Sequence, residues 1–380
     1  MALRPESTRK MKVKINTNAI TKALAKCFSV TPARTPKDVL KYVRLAATEG
    51  CVSVHATDTE VSLTIDITPD DCYPVECPSP GTVLLPVKVH QICRELTGEY
   101  VEIIDGDGNI TILGDGNRWE IQTVDIADFP EAQSCDEGAL TVDGGKLLSS
   151  IQWVSQAVDK KQIEVRFSFG GVLFEFSDNR LTLAGCDRNR MSVSSINDTS
   201  GGIELPSREC VVPYKSLKSI EGICEGQVTV SRSGSAIQFS SPCGKVWARF
   251  LGGRFAQWQQ IVDVPDVYSF SITVGPLSKS LRQAAIVLNE DSSGCQFSFK
   301  DDNLTISGSG SDVGTSEVSI PVVINRGGEF TVNLDPRFLS EQLRTIDAAS
   351  TIEWIAGSAD AAQLIKSESD VCAVMPLVRD

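Results

Sequence analysis

Residues of the types that carry out catalysis are few in this chain and do not form a recognisable site. Its two histidines, His55 and His90, are not paired with a serine or cysteine as nucleophilic catalysis requires. The run DGDGN at 105–109 begins like a calcium loop but lacks the glycine and the bidentate glutamate needed further on. The run GSGSDVG at 308–314 has one residue too many for a dinucleotide fingerprint. We therefore expect no metal, no cofactor and no catalytic residues, although an enzyme that uses carboxylates alone stays an alternative.

Twelve cysteines are spread over the 380 residues without a metal-binding or redox spacing. No CxxC pair occurs, and the closest pair, Cys72 and Cys77, is wider than a zinc site needs. Cys27, Cys93 and Cys224 lie on or beside predicted apolar helix faces, where a free thiol behaves as a small apolar side chain. We expect these cysteines to be reduced and buried.

The composition, with 41% hydrophobic and 22% charged residues, is that of a globular protein. No apolar run approaches the roughly 18 residues of a membrane span. The polar start lacks the apolar core of a signal peptide. These features predict a cytoplasmic protein without membrane contact. Residues 1–10 precede the first strand pattern and are expected to be an unstructured extension.

Two kinds of sequence phrase recur at intervals of roughly 125 residues, which is the size of a domain. The first kind opens with a proline and continues with apolar residues at helical spacing: PVKVHQICREL at 86–96, PYKSLKSIEGI at 213–223 and PRFLSEQLRTI at 336–346. The second kind follows a short strand pattern: HATDTEVSL at 55–63 and AGCDRNRMSV at 184–193. These repeats predict three copies of one fold, with domains at 11–135, 136–265 and 266–380.

Hydrophobic periodicity predicts an α+β fold in which each copy has two helices and several antiparallel strands. Between the helices apolar residues alternate at period two, and the Asp-Gly pairs at 107–108 and 115–116 predict hairpin turns. The predicted helical segments are 17–28, 86–97, 142–158, 213–221, 276–289 and 335–347.

The charge is unevenly distributed between helices and the rest of the chain. The chain carries a net charge of −13, whereas the six helical segments together carry +5. One interpretation is a cationic helical face that meets phosphate on an otherwise acidic protein. The other is the ordinary preference of helices for lysine, and charge alone does not decide between them.

Five segments, taken in order and at these separations, resemble the bacterial sliding clamps, the beta subunits of DNA polymerase III. They are ATDTEVSL (56–63), ADFPE (127–131), LTLAGCDRNRMSV (181–193), LGGRFAQWQQIV (251–262) and AVMPLV (373–378). The resemblance spans about residues 11–380. It implies the DNA-clamp fold, with two chains joined head to tail into a ring that encircles double-stranded DNA without reading its sequence.

The resemblance also implies a non-catalytic accessory subunit with several partners. These are the DNA polymerase III catalytic subunit, other proteins that carry a clamp-binding motif, and an ATP-dependent clamp loader. A separate loader is needed because the chain has no P-loop of its own. A diverged clamp-like scaffold that binds proteins without encircling DNA stays an alternative.

The residues expected to face DNA fall into two groups. Arg34 and Lys88 occupy positions where the family contacts DNA, and Lys160 and Lys161 lie in a loop that reaches DNA in the family. The remaining cations are those of the helices that would line the hole: Lys22, Lys26, Lys215, Lys218, Lys279 and Arg282. A solvated surface cation is the alternative for each of them.

The family binds a short partner peptide with apolar anchors in a pocket between its second and third domains. The matching positions here are Phe169, Cys186, Asp187, Arg188, Asn189, Arg190, Met191, Ala256, Gln260, Ile261, Val374, Met375, Pro376, Leu377 and Val378. Four of them, Arg188, Asn189, Ala256 and Gln260, depart from the family pattern, which leaves the preferred peptide sequence open. The alternative for 373–378 is a buried edge strand without a binding role.

Overall fold

A computed structural model describes residues 10–68, 75–106, 108–161, 168–205, 208–288, 294–310 and 313–377. Contacts divide the chain into two compact units: the first holds residues 1–144, 201–203 and 215–249, and the second holds residues 145–200, 204–214 and 250–380. Every strand pairing among the described residues is antiparallel. The predicted extension lies, apart from Lys10, outside the described residues.

The helices of the described residues are α1 Thr17–Phe28, α2 Val87–Glu95, α3 Gly144–Val154, α4 Tyr214–Glu221, α5 Trp258–Val262, α6 Val274–Ala284 and α7 Pro336–Leu343. Short 3-10 helices occupy Asp38–Lys41, Ile126–Asp128, Ser155–Ala157 and Ala285–Val287. The strands are β1 Lys12–Asn16, β2 Val43–Thr48, β3 Cys51–Thr57, β4 Val61–Ile67, β5 Glu76–Ser79, β6 Gly81–Leu85, β7 Tyr100–Asp105, β8 Asn109–Gly114, β9 Asn117–Gln122, β10 Glu137–Asp143, β11 Gly171–Ser177, β12 Arg180–Cys186, β13 Arg190–Ile196, β14 Ser200–Gly202, β15 Val211–Pro213, β16 Gln227–Ser233, β17 Ala236–Ser241, β18 Gly244–Arg249, β19 Tyr268–Thr273, β20 Cys295–Lys300, β21 Asn303–Gly310, β22 Gly314–Pro321, β23 Val323–Arg326, β24 Phe330–Leu334, β25 Thr351–Ala356, β26 Gln363–Ser367 and β27 Asp370–Val374.

The first unit contains a five-stranded sheet in the order β5-β1-β7-β8-β9 and a nine-stranded sheet in the order β14-β10-β16-β17-β18-β4-β3-β2-β6. Helix α1 packs against β2, β3 and β4 of the larger sheet. Its apolar residues Ile20, Leu24 and Cys27 recur at helical spacing, and all three are fully buried. The cores therefore form where the apolar face of a helix covers the apolar face of a sheet.

The second unit contains a nine-stranded sheet in the order β15-β11-β12-β13-β27-β26-β25-β19-β23 and a four-stranded sheet in the order β22-β21-β20-β24. Aromatic side chains from both sheets meet in its core. Phe270 of β19 stacks on Phe299 of β20 with ring centroids 3.8 Å apart, and Trp354 of β25 meets Phe299 edge-on at 5.2 Å. Stacked and edge-on pairs are the favourable aromatic geometries, so these contacts hold the two sheets together.

The sequence-based prediction of an α+β fold with antiparallel sheets is confirmed, and each predicted helical segment overlaps a helix, although α6 begins two residues before the predicted start. The turn at Asp115-Gly116 is also confirmed, with φ of 53° and 75° as a two-residue hairpin requires. Asp107 lies outside the described residues. The prediction missed α5, because five residues are too few for a helical period to stand out.

The predicted three-domain division stays a prediction, because contacts group the chain in a different way. The segment predicted as the second domain contributes strands to both units. Its strand β18 pairs with β4 in the first unit, and its strand β13 pairs with β27 in the second unit. Each nine-stranded sheet therefore joins strands from two sequence repeats.

The repeated phrases around Asp58 and Asp187 form the same turn in the two units. The Oδ1 atom of Asp58 accepts hydrogen bonds from the backbone of Glu60 and Val61 at 3.0 and 2.8 Å. The Oδ1 atom of Asp187 accepts the equivalent pair from residues 189 and 190 at 2.8 and 2.9 Å. Aspartate favours such turns because its short side chain can bond the backbone two residues further on.

Across the described ranges, none of the helices has both the length and the apolar character that crossing a membrane demands.

A buried histidine makes the stability of the first unit sensitive to pH. His55 is 1% exposed, and its Nδ1 atom lies 2.9 Å from Thr64 Oγ1, with the ring edge against Phe129. Its cross-strand neighbour on β2 is Arg44. Burial, followed by repulsion from Arg44, lowers the pKa of His55 to about 4. The folded protein therefore holds His55 neutral where an unfolded chain binds a proton.

We predict that the unfolding free energy decreases as the pH falls from about 6.5 towards 4. The unfolded state binds the extra proton in this window, and a pKa lowered to about 4 corresponds to a loss of about 3 kcal/mol by pH 4. Urea unfolding at pH 7 and pH 4.5 measures this loss. It should shrink in His55→Asn and persist largely in His90→Asn, because His90 is only half-buried. Equal losses in wild type and His55→Asn would contradict the assignment.

Candidate functional site

No group of histidine, cysteine, aspartate and glutamate in the described part of the chain could hold a metal ion. None of the eleven described cysteines forms a disulfide bond. Burial, together with the Asp187 carboxylate, raises the pKa of the Cys186 thiol well above its ordinary value. A thiol in this state is a poor nucleophile, since the thiolate is the reactive form. The buried cysteines therefore serve as small apolar side chains, whereas Cys51, Cys77 and Cys243 are only half-buried.

A cluster of apolar side chains lies in the second unit beside α5. Its buried members are Phe169, Leu173, Ala184, Cys186, Met191, Val193, Val211 and Phe255. Half-buried residues cover it from one side: Leu251, Ala256, Trp258, Ile261 and Val262. We call this set the pocket cluster.

A second, smaller cluster continues from the first. Its buried members are Ile355, Ala362, Leu364 and Ala373. Ile261 and Val262 of α5 contact both clusters. The short helix therefore lies across the seam between β13 and β27 and connects the two apolar clusters.

The chain's last described residues run along the same seam. Strand β27 pairs with β13, with Ala373 opposite Met191. Beyond the strand, Met375 N donates to Asn189 O at 2.8 Å, and Leu377 N donates to Asn333 O at 2.9 Å. These backbone bonds hold the tail in an extended form. The Met375 side chain is 44% exposed.

The structure brings the predicted peptide-binding positions together in the second unit. Buried members are Phe169, Cys186, Arg190, Met191 and Val374, and half-buried members are Asp187, Ala256, Ile261, Pro376 and Leu377. Exposed members are Arg188, Asn189, Gln260 and Met375. Val378 lies outside the described residues. The set therefore has an apolar floor and a mixed rim, as small ligand sites commonly do.

Arg190 differs from the other predicted positions because its charge is already used inside the protein. Its side chain is 7% exposed and pairs with Asp187 at 3.1 Å and Glu341 at 2.6 Å. It also donates to Phe338 O and lies over the Phe338 ring. A guanidinium with these partners fastens the turn before β13 to α7, so we assign Arg190 a structural role.

The sequence-based list missed several residues of the pocket cluster. Phe255 is fully buried at its centre, and Trp258 and Val262 lie on its cover. A sequence signal for these residues was available, because LGGRFAQWQQIV contains several large apolar residues among polar ones. Their placement against β13 and β27 depends on contacts that are distant in sequence.

All ten predicted DNA-facing residues are exposed. In the first unit Lys22 and Lys26 lie on α1, Lys88 on α2 and Lys215 and Lys218 on α4, while Arg34 lies in the segment after α1. In the second unit Lys160 and Lys161 follow the 3-10 helix at 155–157, and Lys279 and Arg282 lie on α6.

Three of these cations also have partners within the protein. Lys26 Nζ donates to Gly222 O at 2.8 Å, and Lys215 forms an ion pair with Asp58. Lys160 Nζ lies 5.4 Å from the centre of the Tyr214 ring. All three lysines are nevertheless exposed, so their ammonium groups stay accessible to phosphate.

Comparison with known proteins matches residues 11–133 to the family described as DNA polymerase III beta subunit, N-terminal domain. The beta sliding clamp of Chlamydia pneumoniae is 24% identical over 97% of this chain and 99% of its own length. The beta sliding clamp of Escherichia coli K12 is 22% identical over 97% and 100%.

Solved structures agree with these matches. The crystal structure of the DNA polymerase III subunit beta from Pseudomonas aeruginosa superposes with a TM-score of 0.83 at 20% identity, covering 97% of this chain and 100% of that one. The similarity thus extends over the full relatives, through both units and the strands that form the pocket cluster. This chain is therefore similar over almost its whole length to the bacterial DNA polymerase III beta subunits, the beta sliding clamps.

Proposed function

We propose that the protein is a sliding clamp, a non-catalytic processivity factor that encircles double-stranded DNA and tethers a replicative polymerase. The tether is topological, so affinity for DNA can stay low and independent of base sequence. Contact with phosphates alone suits that purpose. The bacterial cytoplasm, where the chromosome lies, is the expected location. The second candidate is a clamp-like scaffold that binds proteins without encircling DNA.

The observation that carries the DNA-binding proposal is the charge of two helices. Helices α1 and α6 bear the cations Lys22, Lys26, Lys279 and Arg282 and contain no aspartate or glutamate, although the chain carries −13 in total. All four cations are exposed, while the opposite face of each helix is buried. A cationic face of this kind attracts the phosphates of DNA without recognising any base.

We predict that the protein, placed on nicked circular DNA by its loader, stays bound and leaves when that DNA is linearised. Replacing Arg34 and Lys88 with glutamate should reduce loading and weaken the binding of linear DNA, because each phosphate contact releases counterions. The decrease should be largest at low salt. Retention on circular DNA and affinity across a salt series are the two measurements.

A matched control is the double variant Lys245→Glu, Arg180→Glu, which changes the charge equally at exposed positions on β18 and β12. It should bind DNA as the wild type does. If the Arg34, Lys88 variant and this control have the same DNA affinity and the same dependence of affinity on salt, Arg34 and Lys88 do not contact DNA. A wild type that binds its partners but is not released by linearisation would favour the scaffold.

Two unpaired strand edges support a head-to-tail dimer. Among the described residues β9 is the outermost strand of the five-stranded sheet, and β22 is the outermost strand of the four-stranded sheet. An exposed edge presents free backbone donors and acceptors that another strand can satisfy. Near β22, Ile286 is 75% exposed and Val313 is 60% exposed. We infer that β9 of one protomer pairs with β22 of its partner. Two such contacts close a ring of six sequence repeats.

We predict that Ile286→Asp converts the dimer to a monomer, because a carboxylate cannot be buried unpaired in an apolar contact. Light scattering at micromolar concentration should give twice the chain mass of 41.0 kDa for the wild type and the single mass for the variant. Val323→Asp is the control, since Val323 is 60% exposed on β23 in the same unit. A dimeric Ile286→Asp variant would contradict this interface.

The pocket cluster is the proposed binding site for partner peptides. Apolar side chains of a peptide would leave water when they pack on this apolar floor and on the exposed Met375. A few such residues dominate affinity in small sites. The expected ligands are segments of the DNA polymerase III catalytic subunit, the ATP-dependent clamp loader and other clamp-binding proteins.

We predict that Met375→Asp weakens peptide binding at least about tenfold, equivalent to ~1.4 kcal/mol, because the aspartate must lose its hydration when an apolar anchor covers it. Fluorescence anisotropy with a labelled clamp-binding peptide from the organism's own polymerase III catalytic subunit measures the affinity. This change is more selective than deleting residues 374–380, because Val374 is fully buried within β27.

Val267→Asp is the matched control for this prediction. Val267 is 46% exposed and lies in the second unit outside the pocket cluster, so its replacement should leave peptide affinity and dimer mass unchanged. If both aspartate variants bind as the wild type does, the peptide site lies elsewhere.

A further inference from the structure

We propose that Glu175 is a positioning residue for the peptide pocket: its carboxylate holds α5 in the place where Ile261 closes the apolar floor. As far as it concerns peptide affinity, this inference rests on the proposed function. Glu175 lies on β11, is half-buried, and belongs to neither apolar cluster. Its effect on a peptide would therefore act through α5.

The two carboxylate oxygens of Glu175 bond two different segments. Oε2 accepts a hydrogen bond from Trp258 Nε1 at 2.7 Å, and Trp258 is the first residue of α5. Oε1 accepts a hydrogen bond from the backbone nitrogen of Arg208 at 3.0 Å. Hydrogen bonds to an ionised acceptor are roughly twice as strong as neutral ones.

The second segment is itself tied to the chain that leads into α5. Arg208 Nε donates to Phe255 O at 2.8 Å, and Phe255 N donates to Arg208 O at 2.8 Å. The φ of Arg208 is 64°, a conformation that costs energy for any residue other than glycine and persists only when neighbours enforce it. Glu175, Arg208, Phe255 and Trp258 thus form one connected network.

Helix α5 needs such support because it is weak by itself. It has five residues, and Gln257 before it makes no side-chain capping hydrogen bond. Isolated helices of this length are unstable in water. Its position therefore depends on side-chain anchors: Ile261 and Val262 hold its apolar side, and Trp258 holds its start through Glu175.

A change from Glu175 to glutamine separates this role from simple packing. The amide keeps the shape but replaces one acceptor oxygen with a donor, while both partners, the indole N–H and the backbone N–H, are donors. One of the two bonds must therefore be lost. We expect Glu175→Gln to weaken binding of the labelled polymerase peptide about tenfold, with the melting temperature and dimer mass close to those of the wild type.

The control is Glu209→Gln. Glu209 lies in the same region and faces Arg254 at 3.5 Å, and both side chains are largely exposed. Removing an exposed ion pair has little effect on stability, so peptide affinity should stay at the wild-type value. The control separates the loss of the Trp258 anchor from a general loss of negative charge.

A double-mutant cycle with Trp258→Phe tests whether Glu175 acts through the indole. Phenylalanine keeps the aromatic packing and removes only the N–H. If the bond carries the effect, Glu175→Gln should reduce affinity much less in the Trp258→Phe background than in the wild type. Additive effects, or an unchanged affinity in Glu175→Gln, would overturn the proposal.

A spectroscopic measurement on the free protein keeps the outcome separate from the proposed function. In Glu175→Gln the Trp258 indole proton resonance should shift, and the amides of Ile261 and Val262 should exchange faster with solvent. If the wild type binds no peptide, the proposed function fails, yet these changes would still support the positioning of α5. An unchanged indole resonance with unchanged exchange would overturn it.

Discussion

The organisation of this protein depends on backbone pairing between strands that come from different sequence repeats. In the first unit β4 pairs with β18, and in the second unit β13 pairs with β27. These ladders satisfy the backbone groups that an edge strand would otherwise leave open. They also place each Asp turn beside the end of a neighbouring repeat, which is where the pocket cluster forms in the second unit.

The two junctions have the same geometry but different chemistry. Arg249 N donates to Glu60 O at 3.0 Å in the first unit, and Met375 N donates to Asn189 O at 2.8 Å in the second. At the strand ends the first unit pairs Thr57 with Ser62, whose hydroxyls bond each other at 2.8 Å. The second unit has Cys186 opposite Met191 at this position. A hydroxyl pair that satisfies itself offers little to an apolar anchor, and this difference is our reason for placing the candidate pocket at the junction of the second unit.

Much of the fold could be predicted from the sequence, because its signals are local. Apolar residues at helical spacing located the segments that contain α1, α2, α3, α4, α6 and α7. The Asp-Gly pair at 115–116 identified a hairpin by its need for positive φ. The candidate site was predicted in outline, since Met191, Ile261 and Met375 do lie together at the seam between β13 and β27.

The sequence by itself thus determined the longer helices and the turn at Asp115-Gly116, whose causes lie within a few neighbouring residues. The tertiary structure decided which repeats share a sheet, because strand pairing between distant segments leaves no local signal. It decided that Arg190 is buried between Asp187 and Glu341, although the sequence pattern placed it with the peptide-binding residues. It also decided the place of α5, which is too short to hold its position without Glu175 and the two apolar clusters.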